Sequence, residues 1–136
     1  MTTGYTQGTF DMFHIGHLNL LKRAKECCDR LVVGVNSDEL VAEYKNKNAV
    51  VPLEERLEIV KSIRFVDDAV VCDTLDKEVA LQRLAFNVLF IGDDWKGSER
   101  WNKTEKRMNE LGVKVVYLPY TKDTNSTLLR EKILDY

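Results

Sequence analysis

The chain has 136 residues, 44% of them hydrophobic and 31% charged, which is enough apolar material for one buried core and too little length for two ordinary domains. Lys and Arg number 20 against 22 Asp and Glu, a formal charge of −2, so no excess of positive charge drives non-specific binding to nucleic acid or an anionic membrane. No apolar run approaches the roughly 20 residues of a membrane-spanning helix, and Met1-Thr2-Thr3-Gly4-Tyr5 lacks the basic-then-apolar pattern of a secretion signal.

Thr3–Gly8 is predicted as the first strand. Gly16–Cys28 reads as a helix, with Leu18, Leu21 and Ala24 on one stripe and Lys22, Arg23 and Glu26 facing water. It ends at the adjacent Cys27 and Cys28; with Cys72 they make three cysteines, which form no even disulfide framework and suit a reducing cytoplasm. Leu31–Val35 is a short apolar run of the kind that forms a parallel strand covered on both faces. The Asn36-Ser37-Asp38-Glu39 turn follows, and Glu43-Tyr44-Lys45-Asn46-Lys47-Asn48 reads as a lysine-bearing loop. Helices near Leu53–Ile63, Asp76–Phe86 and Glu99–Leu111 then alternate with strands Ala69–Cys72, Val88–Ile91 and Val113–Leu118, and a last helix is expected near Ser126–Leu134.

No repeat, low-complexity tract or Gly/Ser linker interrupts the chain, so residues 1–136 are expected to form a single domain. Strand–helix alternation predicts an α/β, Rossmann-like fold: an open parallel sheet of about five strands with helices on both faces. Such sheets bind ligands beyond the carboxyl ends of their strands, where the strand order reverses. Function is therefore sought in the loops that follow strands.

Gly8-Thr9-Phe10-Asp11 follows the first strand, and after Met12-Phe13 the segment His14-Ile15-Gly16-His17 opens the first helix. A glycine lets the chain turn tightly beside a ligand, and a helix N-terminus offers unpaired N–H groups to a phosphate. Two histidines three residues apart there point the same way and can stabilise charge growing on a transferring phosphate. A His-x-x-His pair is also half of a metal site, but the chain has no third histidine and no matching cysteine. Incidental placement of both rings is the other alternative. The phosphate interpretation is favoured over both.

Gly-Thr-Phe-Asp-x-x-His-x-Gly-His resembles the signature of the nucleotidylyltransferase superfamily, and of its cytidylyltransferases in particular. The resemblance is strongest to the glycerol-3-phosphate cytidylyltransferase family. Arg64-Phe65-Val66-Asp67-Asp68 matches that family's Arg-Tyr-Val-Asp-Glu segment, and Gly92-Asp93-Asp94-Trp95-Lys96-Gly97 is similar to its Gly-Asp-Asp-Trp-x-Gly loop. The resemblance implies transfer of CMP from CTP to sn-glycerol 3-phosphate in a cytoplasmic homodimer, with Mg2+ carried by the triphosphate and no metal site built by the protein. CDP-glycerol would then feed a bacterial wall or capsule polymer. Neither nucleic acid nor membrane insertion is expected.

Carried over by position, His14 and His17 are the catalytic candidates. CTP would be met by Thr9, Phe10, Asp11, His14, His17, Lys47, Arg64, Asp94, Thr121, Ser126 and Thr127, and the acceptor by Lys45, Arg56 and Lys77. Asp11 would orient its loop or assist the magnesium ion. Each residue also has a plainer interpretation: a solvated loop for Lys45 and Lys47, a surface ion pair with Glu54, Glu55 or Glu58 for Arg56, packing at the sheet edge for Trp95, and a structural partnership for Asp67. The family's Arg-Thr-x-Gly-x-Ser-Thr motif corresponds to Tyr120-Thr121-Lys122-Asp123-Thr124-Asn125-Ser126-Thr127. There the arginine is Tyr120 and the glycine Asp123, and Lys122 offers a cation two residues away. Ribitol, ethanolamine or another capsule-precursor phosphate are alternative acceptors. A non-catalytic nucleotide-binding homologue is the alternative of another class, supported by Tyr120 and Asp123 and opposed by the intact histidine pair.

Overall fold

The computed structural model describes residues 1–119. Strands β1 (Thr3–Gly8), β2 (Arg30–Asn36), β3 (Asp68–Cys72), β4 (Val88–Gly92) and β5 (Lys114–Leu118) form one parallel sheet in the order β3-β2-β1-β4-β5. Helices α1 (Ile15–Glu26), α2 (Asp38–Lys45), α3 (Leu53–Lys61), α4 (Lys77–Leu84) and α5 (Glu99–Glu110) connect them, with a short 3-10 turn at Asp93–Trp95. The expected α/β sheet is present, and each strand lies within a residue or so of its predicted bounds. The last predicted helix, Ser126–Leu134, lies outside the described residues. Among the described residues no helix is long and apolar enough to cross a membrane.

Helix α2 corrects the sequence-based loop. Asn36-Ser37-Asp38-Glu39 is rich in turn formers, but Ser37 is a helix N-cap: its hydroxyl accepts the Leu40 N–H at 3.2 Å, and Asp38 and Glu39 fill the first turn. Leu40 and Val41 are buried and fasten this short helix to the sheet.

Alternation along the strands builds two cores, one on each face. Leu31, Val33, Val35 and Phe90 pack with Leu21, Ala24 of α1 and Val60 of α3; Tyr5, Val32 and Leu89 pack with Ala80, Trp101 and Met108 of α4 and α5. Both faces being covered explains why β2 is apolar at nearly every position. Beside β1 the order reverses, with β2 and β3 on one side and β4 and β5 on the other. The carboxyl ends of β1 and β4 therefore flank the switch point where such sheets take ligands.

Gly34 marks a close approach inside this sheet. The Tyr5 side chain leans along the strand direction and its hydroxyl occupies the space a Cβ on Gly34 would need. That hydroxyl donates to Gln7 Oε1 at 3.0 Å and lies 3.2 Å from Cys72 Sγ, so it has little room to move. Gly34→Ala is expected to lower stability by about 1–3 kcal/mol through overpacking, read as a lower urea midpoint. Tyr5→Phe in the same chain should return part of that loss by deleting the obstructing oxygen.

Candidate active site

Arg56, expected at the acceptor, points inward instead. Its side chain is fully buried, and Nε donates to the Val51 carbonyl at 2.7 Å. Nη1 donates to the carbonyls of Thr9 and Asn36, each at 2.8 Å, and Nη2 to Asp38 Oδ1 at 2.6 Å. A surface ion pair with its glutamate neighbours is thus overturned, and acceptor contact gives way to a positioning role. Four of the five guanidinium donors tie the loop after β1, the end of β2, the start of α2 and the segment before α3 to one another.

The loop after β1 needs such ties. Phe10 and Met12 have φ of 54° and 49°, in the left-handed region that bulky residues seldom enter. The conformation is held because the Phe10 ring is buried in the core, the Thr9 carbonyl is taken by Arg56, and the Asp11 carboxylate accepts the N–H groups of Val50 and Val51, both at 2.9 Å. Asp11 is therefore the anchor of the 46–52 segment, with each oxygen engaged by a backbone amide.

His14 caps α1. Its Nδ1 accepts the Gly16 N–H at 3.0 Å, and its own N–H goes to His17 Nδ1 at 3.2 Å. Each neutral ring consequently carries its proton on Nε2. The rings stack with centroids 3.9 Å apart, and Phe10 and Phe13 press on His17 at 5.4 and 5.2 Å. Burial lowers the pKa of both: His14 falls below its ordinary value, and His17 is pushed down to about 3, helped by His14 and Lys45 and opposed by Asp11. At neutral pH the pair therefore presents two uncharged N–H donors.

Lys45 closes α2, its ammonium 5.6 Å from the Tyr44 ring, and its charge reaches His17. Asn46 turns the chain in the left-handed conformation, and Lys47 stands exposed beyond it. Tyr44, to which sequence reasoning gave no role, joins the two halves of the site. Its hydroxyl is 2.7 Å from Thr9 Oγ1 and accepts from Asn36 Nδ2 at 3.1 Å, while Gln7 Nε2 donates to Asn36 Oδ1 at 2.9 Å. The spacing of Tyr44 one residue before Lys45 was its only signal.

Past β4, Gly92 leaves room for the Asp94 carboxylate, which folds back to 2.6 Å from where a Cβ would stand. Trp95 is 45% exposed, so it is not packed against the sheet edge; it walls a cavity of about 140 Å3 with Lys77, Trp101 and Arg100. Lys77 is buried, its Nζ bonded to the Leu75 carbonyl at 2.9 Å and 5.6 Å from the Trp101 ring. Burial and the charge of Arg100 push its pKa down to about 8. Arg64 lies over the Phe65 ring at 5.1 Å, in a groove of about 530 Å3 shared with Ile15, Leu18 and Lys22 of α1. Asp67 accepts the Leu31 N–H and the Lys25 ammonium and is structural. Tyr120, Thr121, Lys122, Asp123, Ser126 and Thr127 fall outside the described residues. Among the described residues no three His, Cys, Asp or Glu side chains gather as a metal cluster.

A histidine pair at the α1 N-terminus, cations on α2 and α4, and a cavity at the switch point form the geometry of a nucleotide-phosphate site. Residues 5–132 match the family described as Cytidylyltransferase-like. The chain belongs to this family. The cytidylyltransferase-like protein is 36% identical over 129 residues to the glycerol-3-phosphate cytidylyltransferase of Bacillus subtilis strain 168, covering 94% of each chain. It is 38% identical over 114 residues to the FAD synthase of Pyrococcus abyssi, covering 83% of this chain and 77% of that one. Among solved structures, a lipopolysaccharide core biosynthesis protein from Thermoplasma volcanium superposes with a TM-score of 0.74 at 27% identity, covering 91% of this chain and 99% of that one. The cytidylyltransferase-like protein is accordingly a nucleotidyltransferase-type enzyme.

Two measurements check this site. Arg56→Met strands two buried carbonyls and a partly buried one and is expected to cost about 2–5 kcal/mol in a urea titration, at about 1–3 kcal/mol for each unsatisfied buried group. His17 gives the second. Its folded pKa lies below its unfolded value, so the unfolded chain binds the extra proton, and the stability this neutral ring contributes is present above about pH 6.5 and lost as the pH falls toward 3. His17→Gln should flatten the fall of the urea midpoint between pH 6.5 and 4 relative to the wild type.

Proposed function

We propose that this protein transfers CMP from CTP to sn-glycerol 3-phosphate, releasing pyrophosphate and forming CDP-glycerol. The observation that carries the proposal is the positively charged cavity at the switch point, joined to the histidine-bearing loop through Tyr44, which lines it and bonds Thr9. At about 140 Å3, with the buried Lys77 in its wall, it suits a three-carbon phosphate ester.

An oxygen of the acceptor phosphate attacks the α-phosphorus of CTP in line, the bond from that phosphorus to the bridging oxygen breaks, and pyrophosphate leaves with the electron pair. The nucleophile is already an anion, so no proton has to be removed from it. Catalysis reduces to alignment and to charge stabilisation. His14 and His17 donate Nε2–H to the oxygens of the transferring group, with the α1 N-terminus behind them. Lys45 and Lys47 face the remaining phosphate charge from the end of α2. Mg2+ would neutralise the triphosphate it travels with, held chiefly by phosphate and water. A homodimer, and supply of CDP-glycerol to a glycerol-phosphate polymer, belong to the same proposal.

A second reaction is favoured by a specific observation, the 38% identity to an FAD synthase: adenylyl transfer from ATP to FMN. Pyrophosphate release from purified protein separates the two. Release with CTP and glycerol 3-phosphate is expected; release only with ATP and FMN overturns the proposal. His14→Ala and His17→Ala should each lower kcat at least about a hundredfold, the scale of one lost charge-stabilising donor. Unchanged turnover in either would remove the histidines from the chemistry.

A further inference from the structure

The cavity around Lys77 holds more positive charge than one phosphate-binding lysine accounts for. It opens beyond the carboxyl ends of β1, β2 and β4 and is walled by Gln7, Asn36, Leu75, Trp95, Trp101 and Arg100. Lys77 enters it from the first residue of α4, and Arg100 from the second residue of α5. Among the described residues neither cation forms an ion pair, whereas on the same helix Lys103 pairs with Glu99, and Arg107 with Glu78 and Glu110. No Asp or Glu lines the cavity. Two like charges facing one small space repel each other, with Asp76 offsetting this at Lys77 only from outside the cavity, and an anion between them removes that repulsion.

The aromatic walls point the same way. A ring face can hold a ligand's ammonium group, but here the Trp101 face is taken by the Lys77 ammonium and the Tyr44 face by that of Lys45, each 5.6 Å from its ring. A cationic headgroup would meet two positive charges, no carboxylate and two occupied rings. A hydroxylated headgroup would meet the exposed Trp95 ring and carries no charge for Lys77 and Arg100 to repel.

We infer that Arg100 is an acceptor-binding residue that forms a charge filter with Lys77: the pair admits a small phosphate monoester with an uncharged, hydroxylated headgroup and rejects one bearing an ammonium. This rests on the acceptor site proposed above. It is tested by kinetics of the wild type, Arg100→Gln, Arg100→Glu and, as a control on the same helix outside the cavity, Lys103→Gln. Glycerol 3-phosphate and O-phosphoethanolamine serve as acceptors. Arg100→Gln should raise the glycerol 3-phosphate KM about tenfold more than the CTP KM, on the scale of one charged hydrogen bond. Arg100→Glu should cut the preference for glycerol 3-phosphate over O-phosphoethanolamine at least about tenfold, and Lys103→Gln should change neither. An unchanged KM and preference in both Arg100 variants, or equal effects from Lys103→Gln, overturns the filter. Titration of glycerol 3-phosphate into wild type and Arg100→Glu, with a non-hydrolysable CTP analogue present, separates this from failure of the proposed reaction. Binding weakened tenfold in the variant supports the filter even without turnover. Equal binding, or no binding to the wild type, overturns it.

Discussion

One buried guanidinium organises the site. Three stretches of chain, at Thr9, at Asn36–Asp38 and at Val51, end on Arg56, and each offers it a backbone carbonyl. A carbonyl at the end of a strand or loop has no ladder partner, and burying it unpaired is costly. Arg56 solves this for Thr9, Asn36 and Val51 together, and its planar fork fixes their relative positions in a way a lysine could not. Two left-handed residues persist in the loop after β1 because that loop is held from both sides, by Arg56 at Thr9 and by Val50 and Val51 at Asp11. Disturbing any of these bonds would disturb the histidines through the loop that carries them.

Charge in the site is arranged with its neutral part at the centre. His14 is kept uncharged by burial and His17 by burial with His14 and Lys45 beside it, while Lys77 and Arg100 supply positive charge at the neighbouring sheet edge. Two imidazoles in contact could not both be charged cheaply, and an empty site of stacked cations would cost the fold stability. Neutral donors already aligned by backbone N–H groups avoid that cost and need little reorganisation when a phosphate arrives.

The strands, the parallel sheet and the loop that bears the histidines were legible in the sequence, because each depends on local pattern: apolar runs, a glycine-bearing turn, a helix start. What was misread depends on contacts made at a distance. Helix α2 was taken for a loop because its first residues favour turns, and only the Ser37 cap together with burial of Leu40 and Val41 tips the balance. Arg56 sits among three glutamates on a helix, which suggests the surface, yet its partners are 5 to 47 residues away along the chain. Tyr44 carries no motif; its role exists only because Thr9 and Asn36 fold beneath it. Arg100 carries no motif either; its place across one cavity from Lys77 exists only because α4 and α5 pack on the same face of the sheet.

The segment between Asn46 and Val50 is moored at both ends, by the α2 terminus on one side and by the Asp11 carboxylate on the other. Lys47 rides in the middle of that span. A residue gained or lost there alters how far the lysine projects, while the moorings leave the histidines where they are. The reach of that lysine can therefore change through a short stretch of chain, without any rebuilding of the loop that carries the histidines. A single scaffold of this kind can be inherited by enzymes whose second substrates have little in common.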